Sequence, residues 1–290
     1  MTNKFKENFA SMALREVDND VYEYIDSLSC VRYKQLETKF DGIEVPLLGV
    51  FTKPLGDGFE FTYQSVVSQQ YKFEGNDVVV NTIKNSLEET AVPLFQEFTM
   101  LNSSLTSMSR EIIIRNNSQI QQVGDVYPQI SIQNTYDGTG AKSIKFGLSI
   151  YSDGIRISSF NWKTEIMRMR QIHMHSANTT AISVSQYVDT FTQNIGELIQ
   201  NNMNNQVTEE QLMKTLDLIE SIGKKKRVEL SELIHSERGE SPHLTSWNIF
   251  MAITKYSIAE QNINTKSLLE NVVERVLVLP ARMTQVLNNR

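Results

Sequence analysis

Two periods of apolar residues divide the chain. Between Ile43 and Asn161, apolar and polar positions alternate over short runs: IEVPLLGVF, FEFTYQSVV, EIIIRN, QISIQN, KSIKFGLSIY and GIRISSF. Each run is rich in β-branched and aromatic residues and is bounded by Gly, Pro, Asn or Asp. Successive side chains of a strand point to opposite faces, so these runs predict β-strands. The alternation stops at Tyr136-Asp137-Gly138 and then resumes, which predicts a hairpin whose Gly supplies a positive φ. One helix interrupts the strands. Asn76 is placed to N-cap DVVVNTIKNSLEETA, where Val79, Ile83 and Leu87 recur at helical spacing. That helix and the apolar run AVPLFQEFTML after it are expected to cover one face of the sheet.

After about residue 178 the period becomes helical. Val184, Val188, Phe191, Ile195 and Leu198 form one stripe. Thr208 to Gln211 reads as a capping box before Leu212, Leu216 and Ile219, and Gly223 is placed to end that helix. A third helix carries Trp247, Phe250, Met251, Thr254 and Ile258. A fourth, from about Thr265 to Leu279, carries Leu268, Leu269, Val272, Val273 and Val276 and stops at Pro280. The polar segment SERGESPHLT between the second and third helices is expected to be a mobile loop. The fold class is therefore α+β: an antiparallel, curved sheet packed with helices in the N-terminal and central part, then a mainly helical C-terminal half. Residues 1–177 form the strand-rich region and 178–290 the helical one, packed together as one extended domain.

Composition changes this picture little, but charge changes it more. At 290 residues with 40% apolar content, the chain can bury a sizeable core. A net charge of -6 excludes a protein that coats nucleic acid with its whole surface, so any polyanion site must be local. Cys30 is the single cysteine, which excludes an intramolecular disulfide and a thiolate zinc site; its segment SLSCVRYKQL is read as helical. The N-terminus lacks the apolar region of a signal peptide, and no run approaches the ~18 apolar residues of a membrane span, so the expectation is a cytoplasmic protein with no membrane partner.

From Lys142 to His175 the bases Lys142, Lys145, Arg156, Lys163, Arg168 and Arg170 face only Asp153 and Glu165, a local net +4 in an acidic chain. Tyr136, Tyr151 and Trp162 are interleaved with them. Cations that neutralise phosphates and rings that stack on unpaired bases are what a single-strand nucleic-acid surface needs. The competing reading is a solvated sheet face whose aromatics turn to the core. Lys224-Lys225-Lys226-Arg227 is a second cationic run, read either as a phosphate contact or as cations complementing the carbonyl dipole at a helix end. His173 and His175 form an H-x-H pair too sparse for a zinc site without further ligands. No GxSxG, SxxK or P-loop occurs, and adjacent acids such as Glu88-Glu89 point apart on a helix. No catalytic residue, cofactor or metal is assigned.

The order VVSQQYKFEGNDVVVNTIKNSL, then VGDVYPQISIQNTYDGTGAKSIKFGLSIYSDGIRISSFN, HSANTTAISVSQ and TSWNIFMAITKYS resembles the phage and plasmid-like family known as domain of unknown function nine-three-two. The resemblance covers roughly residues 60–260 and is carried by Val67-Ser68 with Tyr71, the Asn134 to Gly138 turn, Arg156 to Asn161, His175 with Asn178, and Trp247 with Ala252, Thr254 and Tyr256. Near Ser158 to Asn161 relatives tend to have a cysteine and a glycine, so no role of that cysteine transfers. The resemblance implies a mobile-element protein working inside a bacterial cell. The expected function is single-stranded DNA binding in phage replication or recombination, similar to annealing proteins. Homo-oligomers would form through the helical half. The alternatives are a nucleic-acid-processing hydrolase or nuclease, with Asn134, Asp137, Asn161, His173 and His175 converging, and a non-enzymatic assembly protein.

Overall fold

The computed structural model describes residues 15–280 apart from 163–183 and 19–20, 26, 38, 41–42, 46, 70, 72, 90–92, 117, 121–122, 141, 221–222 and 261. The chain begins with β1 (Arg15–Asp18), β2 (Val21–Ile25) and β3 (Ser29–Leu36), passes through a small ribbon of β4 (Lys39–Phe40) and β5 (Ile43–Glu44), and continues with β6 (Leu47–Pro54) and β7 (Thr62–Ser68). These make a first antiparallel sheet of order β1-β2-β3-β6-β7. Helix α1 (Asn76–Glu89) follows, and then β8 (Leu94–Leu101), β9 (Ser107–Ile114), β10 (Ser118–Ile120), β11 (Gly124–Thr135), β12 (Ser143–Ser152) and β13 (Ile155–Asn161). The second sheet is also antiparallel, of order β13-β12-β11-β9-β8 with β10 on β11. Five helices complete the described chain: α2 (Val184–Asn204), α3 (Glu209–Glu220), α4 (Lys224–Arg238), α5 (Ser246–Ala259) and α6 (Ile263–Val276). The α+β class and antiparallel sheets are as the alternation predicts.

Period dictates packing in both halves. On the second sheet Met108, Ile112, Ile130, Ile132, Phe146 and Phe160 share one core with the apolar stripes of the helices, including Val79 and Ile83 of α1, Phe191 of α2 and Phe250 of α5. The inner face of the first sheet, with Tyr22, Tyr24, Val31, Tyr33, Leu48 and Val50, encloses Tyr71, Phe73 and Tyr136. Tyr136, the predicted turn residue, pins the two sheets together. Its carbonyl accepts from Tyr33 Oη at 2.9 Å, and its own hydroxyl accepts from the Asn76 backbone N–H at 2.8 Å, where α1 begins. Tyr71 Oη donates to the Thr135 carbonyl at 2.8 Å. Replacing Tyr136 by Phe leaves a buried N–H without this acceptor, and urea unfolding should report a loss of about 1–3 kcal/mol.

Four local expectations are corrected. Cys30 lies in strand β3, not a helix: Tyr22 and Tyr24 of β2 and Val31 and Tyr33 of β3 bury at two-residue spacing, while Arg32 between the latter is half-buried and Lys34 is exposed. The apolar run AVPLFQEFTML does not cover the sheet but joins it, as strand β8 on the edge beside β9. KKKRVELSELIHSER forms α4, although only Leu230 and Ile234 are buried on it; the first residues of the SERGESPHLT segment therefore belong to a helix. Gly223 does not end α3 but stands at the N-cap of α4 with φ 125°, so the four cations open a helix rather than close one. At that end the dipole opposes them, and partners offset the conflict: Lys226 pairs with Glu260 at 2.5 Å and Arg227 with Asp217 at 2.8 Å. The capping box at Thr208 is present, with Thr208 N–H donating to Gln211 Oε1 at 2.8 Å and Gln211 N–H to Thr208 Oγ1 at 3.3 Å.

Candidate functional site

The central ribbon carries its cations inward. Lys142 is 3% exposed and its Nζ lies 2.6 Å from Glu74 Oε2. Lys145 pairs with Glu270 of α6 at 3.2 Å, and Arg156 with Glu111 of β9 at 2.7 Å. The expected stacking rings are buried as well. Tyr136 holds the sheets together, and Tyr151 packs edge-on against Phe95 and Tyr127 and donates to Gln96. Trp162 sits fully buried against Phe160. The outward cationic track is therefore corrected for Lys142, Lys145 and Arg156: each meets a carboxylate that sequence distance hides, because Glu74, Glu111 and Glu270 arrive from other elements. Lys163, Arg168 and Arg170, with His173 and His175, lie outside the described residues.

Two of those cations instead join a buried polar ring on the face of the second sheet opposite the main core. Ser131 of β11 stands between Glu111 on β9 and Lys145 on β12, and Gly147 on β12 stands between Gln129 and Asn161. Asn161 donates to Glu270 at 2.6 Å and accepts from Gln129 at 2.7 Å. Gln129 accepts from Arg156 at 2.7 Å, and Arg156 also donates to Ser149 at 3.0 Å and Ser159 at 2.5 Å. Glu111 is shared by Arg156 and Lys266. Lys266 and Glu270 are four residues apart on α6, so one helical turn closes the ring. Burial pushes the Glu111 carboxyl up, but the adjacent Arg156 and Lys266 charges outweigh it and hold the group below its ordinary range. The guanidinium of Arg156 lies 4.5 Å over the Phe98 ring.

Of the proposed catalytic convergence, the described members Asn134, Asp137 and Asn161 do not share one site. Asn134 donates to the Glu74 carbonyl and to Asn76 Oδ1, Asp137 accepts from Thr139 within the turn, and Asn161 sits in the ring. Asn134 lies five residues along β11 from Gln129, the position level with Asn161 across Gly147, which is roughly 17 Å at strand rise. Among the described residues no three His, Cys, Asp or Glu side chains gather to hold a metal. No described helix is long and apolar enough to cross a membrane. Cys30, 1% exposed, has its thiol pushed up to about 12 by burial and by the Glu23 carboxylate beside it. A thiol reagent at neutral pH should leave it unmodified until denaturant is added; rapid labelling of native protein would contradict this placement.

An open aromatic and cationic surface does exist, on the outer face of the first sheet. Arg32, Phe51 and Tyr63 are lateral neighbours across β3, β6 and β7, and Lys34 and Lys53 share their side of the sheet. The Arg32 guanidinium lies 3.9 Å from the Phe61 ring centroid and Lys53 Nζ 5.0 Å from it. Phe51 and Tyr63 pack edge to face at 5.5 Å. Tyr63 and Phe59 are each 53% exposed. Arg32 is held by Glu23 at 2.7 Å, whereas Lys34 and Lys53 pair with no carboxylate among the described residues. The sequence signal was present in FEFTY, where aromatics alternate beside Lys53, but without the β3 strand Arg32 could not be placed there.

No protein-family model, curated protein or solved structure matches the chain. Of the stretch Arg156 to Asn161 singled out in the sequence, Arg156, Ser159 and Asn161 are members of the buried ring.

Proposed function

We propose that the protein is a non-catalytic binder of single-stranded nucleic acid, and that the strand lies on the outer face of the first sheet. The observation that carries this reading is Phe61 flanked by two cations, with Tyr63 and Phe59 exposed beside it. Exposed rings present π-faces to unpaired bases, and Arg32, Lys34 and Lys53 sit within reach of the phosphates between them. Glu23 holds Arg32, and the exposed Asp57 and Glu60 on the connection that carries Phe59 and Phe61 balance the other bases, so phosphate contact rests on individual cations and stacking rather than on a net positive face. Sequence-tolerant stacking suits a role in replication or recombination of the kind the family resemblance implies.

The test is fluorescence anisotropy of a labelled oligothymidylate across a salt series. A Phe61→Ala, Tyr63→Ala double variant should bind at least about tenfold more weakly, since stacking contributes ~1–3 kcal/mol per base. Lys34→Ala with Lys53→Ala should flatten the salt dependence. Unchanged affinity in the aromatic variant would overturn the reading. So would binding lost only when Lys163, Arg168 and Arg170 are replaced. A wild type that ignores oligonucleotide but changes oligomeric state on losing Phe61 and Tyr63 would make the face a contact between copies, and would equally refute it.

A further inference from the structure

The buried ring on the second sheet carries an excess positive charge and unused donors, a combination that structural ties do not need. Among the described residues Lys145, Arg156 and Lys266 stand against Glu111 and Glu270, three cations to two carboxylates, with side chains between 4% and 13% exposed. A surplus charge in so dry a place is unfavourable unless something of opposite sign completes it. An ammonium has three donors. Lys145 Nζ spends one on Glu270 and Lys266 Nζ one on Glu111. Arg156 engages its partners through Nε and Nη2, and Nη1 meets none among the described residues.

We propose that this ring is an oxyanion site, taking a phosphate or carboxylate group whose oxygens accept from the unused N–H groups of Lys145, Lys266 and Arg156. The anion brings the cluster to charge balance, and each contact is a charge-assisted hydrogen bond. Arg156 and Lys266 are the most exposed members, at 10% and 13%. The site is separate from the outer face of the first sheet and does not depend on strand binding.

The charge count yields variants of opposite sign. Lys266→Met makes the ring neutral while Glu111 keeps Arg156, so no carboxylate is stranded. Glu270→Gln raises the surplus to two and keeps an acceptor for Asn161. Thermal unfolding of the full chain would be followed against inorganic phosphate, and separately acetate, each matched to chloride at equal ionic strength. Wild type should show a saturable rise in Tm with at least one of the two oxyanions, and the larger rise identifies the group preferred. The apparent Kd should weaken about tenfold in Lys266→Met and tighten about tenfold in Glu270→Gln. If wild type unfolds at the same temperature in all three salts, the proposal fails. It fails too if the variants respond like wild type, because the anion would then act elsewhere on the surface. Should Lys266→Met fail to fold, the Glu270→Gln comparison alone still decides.

Discussion

Replacing Glu111 by Ala should destabilise the protein by about 3–5 kcal/mol, the range observed when one partner of a buried ion pair is removed and the other stays. The effect is large because Glu111 is the only described carboxylate serving both Arg156 and Lys266, so its loss strands two charges at once. Urea denaturation of the variant and wild type measures it. Acid gives an independent check on sign. The folded carboxyl sits below its unfolded value, so its contribution is fully present above the unfolded pKa of about 4.3 and disappears as pH falls through the folded value. Stability should hold from neutral pH down to about 5 and drop below about 4, with a shallower drop in Glu111→Gln. Glu97 and Glu23, whose carboxyls are also held low against the upward push of burial by paired cations, leave a residual slope in the variant. An unchanged slope in Glu111→Gln would show that this carboxylate is not tied as described.

Gly147→Ala should be nearly as damaging, at about 3 kcal/mol, the upper part of the usual range for overpacking. A methyl at this position runs into the Phe160 carbonyl oxygen and lies 2.8 Å from both Asn161 Cα and Asn161 Oδ1. Those are backbone atoms of the paired strand and the amide that links Gln129 to Glu270, so neither can step aside without opening the β12–β13 ladder or the ring. Faster amide hydrogen exchange confined to β13 and the facing part of β12 is the expected signature. A variant with wild-type stability would mean that the strands do not approach this closely.

The contrast between what could and could not be read in advance follows sequence separation. The β11–β12 hairpin was legible because its alternation and its Asp-Gly turn are both local. The helices after α1 were legible where an apolar stripe was wide, as in α2 and α5, and illegible in α4, where two buried side chains support fifteen residues. The concentration of charge around Lys145 and Arg156 in an acidic chain is plain in the sequence. Their burial was not readable, because Glu270 lies 125 positions from Lys145 and Glu111 sits on a strand not adjacent to Arg156, brought near only by the order of the second sheet. Local patterning states which residues share a strand face, but not which distant element covers that face. The outer face of the first sheet escaped notice for a related reason: its rings lie on β6, β7 and the loop between them, and its Arg32 lies on a strand taken for a helix.

The division of labour between the two sheets is most directly measured by hydrogen exchange of the full chain with and without a saturating oligothymidylate. Protection concentrated in β3, β6, β7 and the connection that holds Phe59 and Phe61, with β12 and β13 unchanged, is the expected result. Protection of β12 and β13 without any change in the first sheet would contradict it.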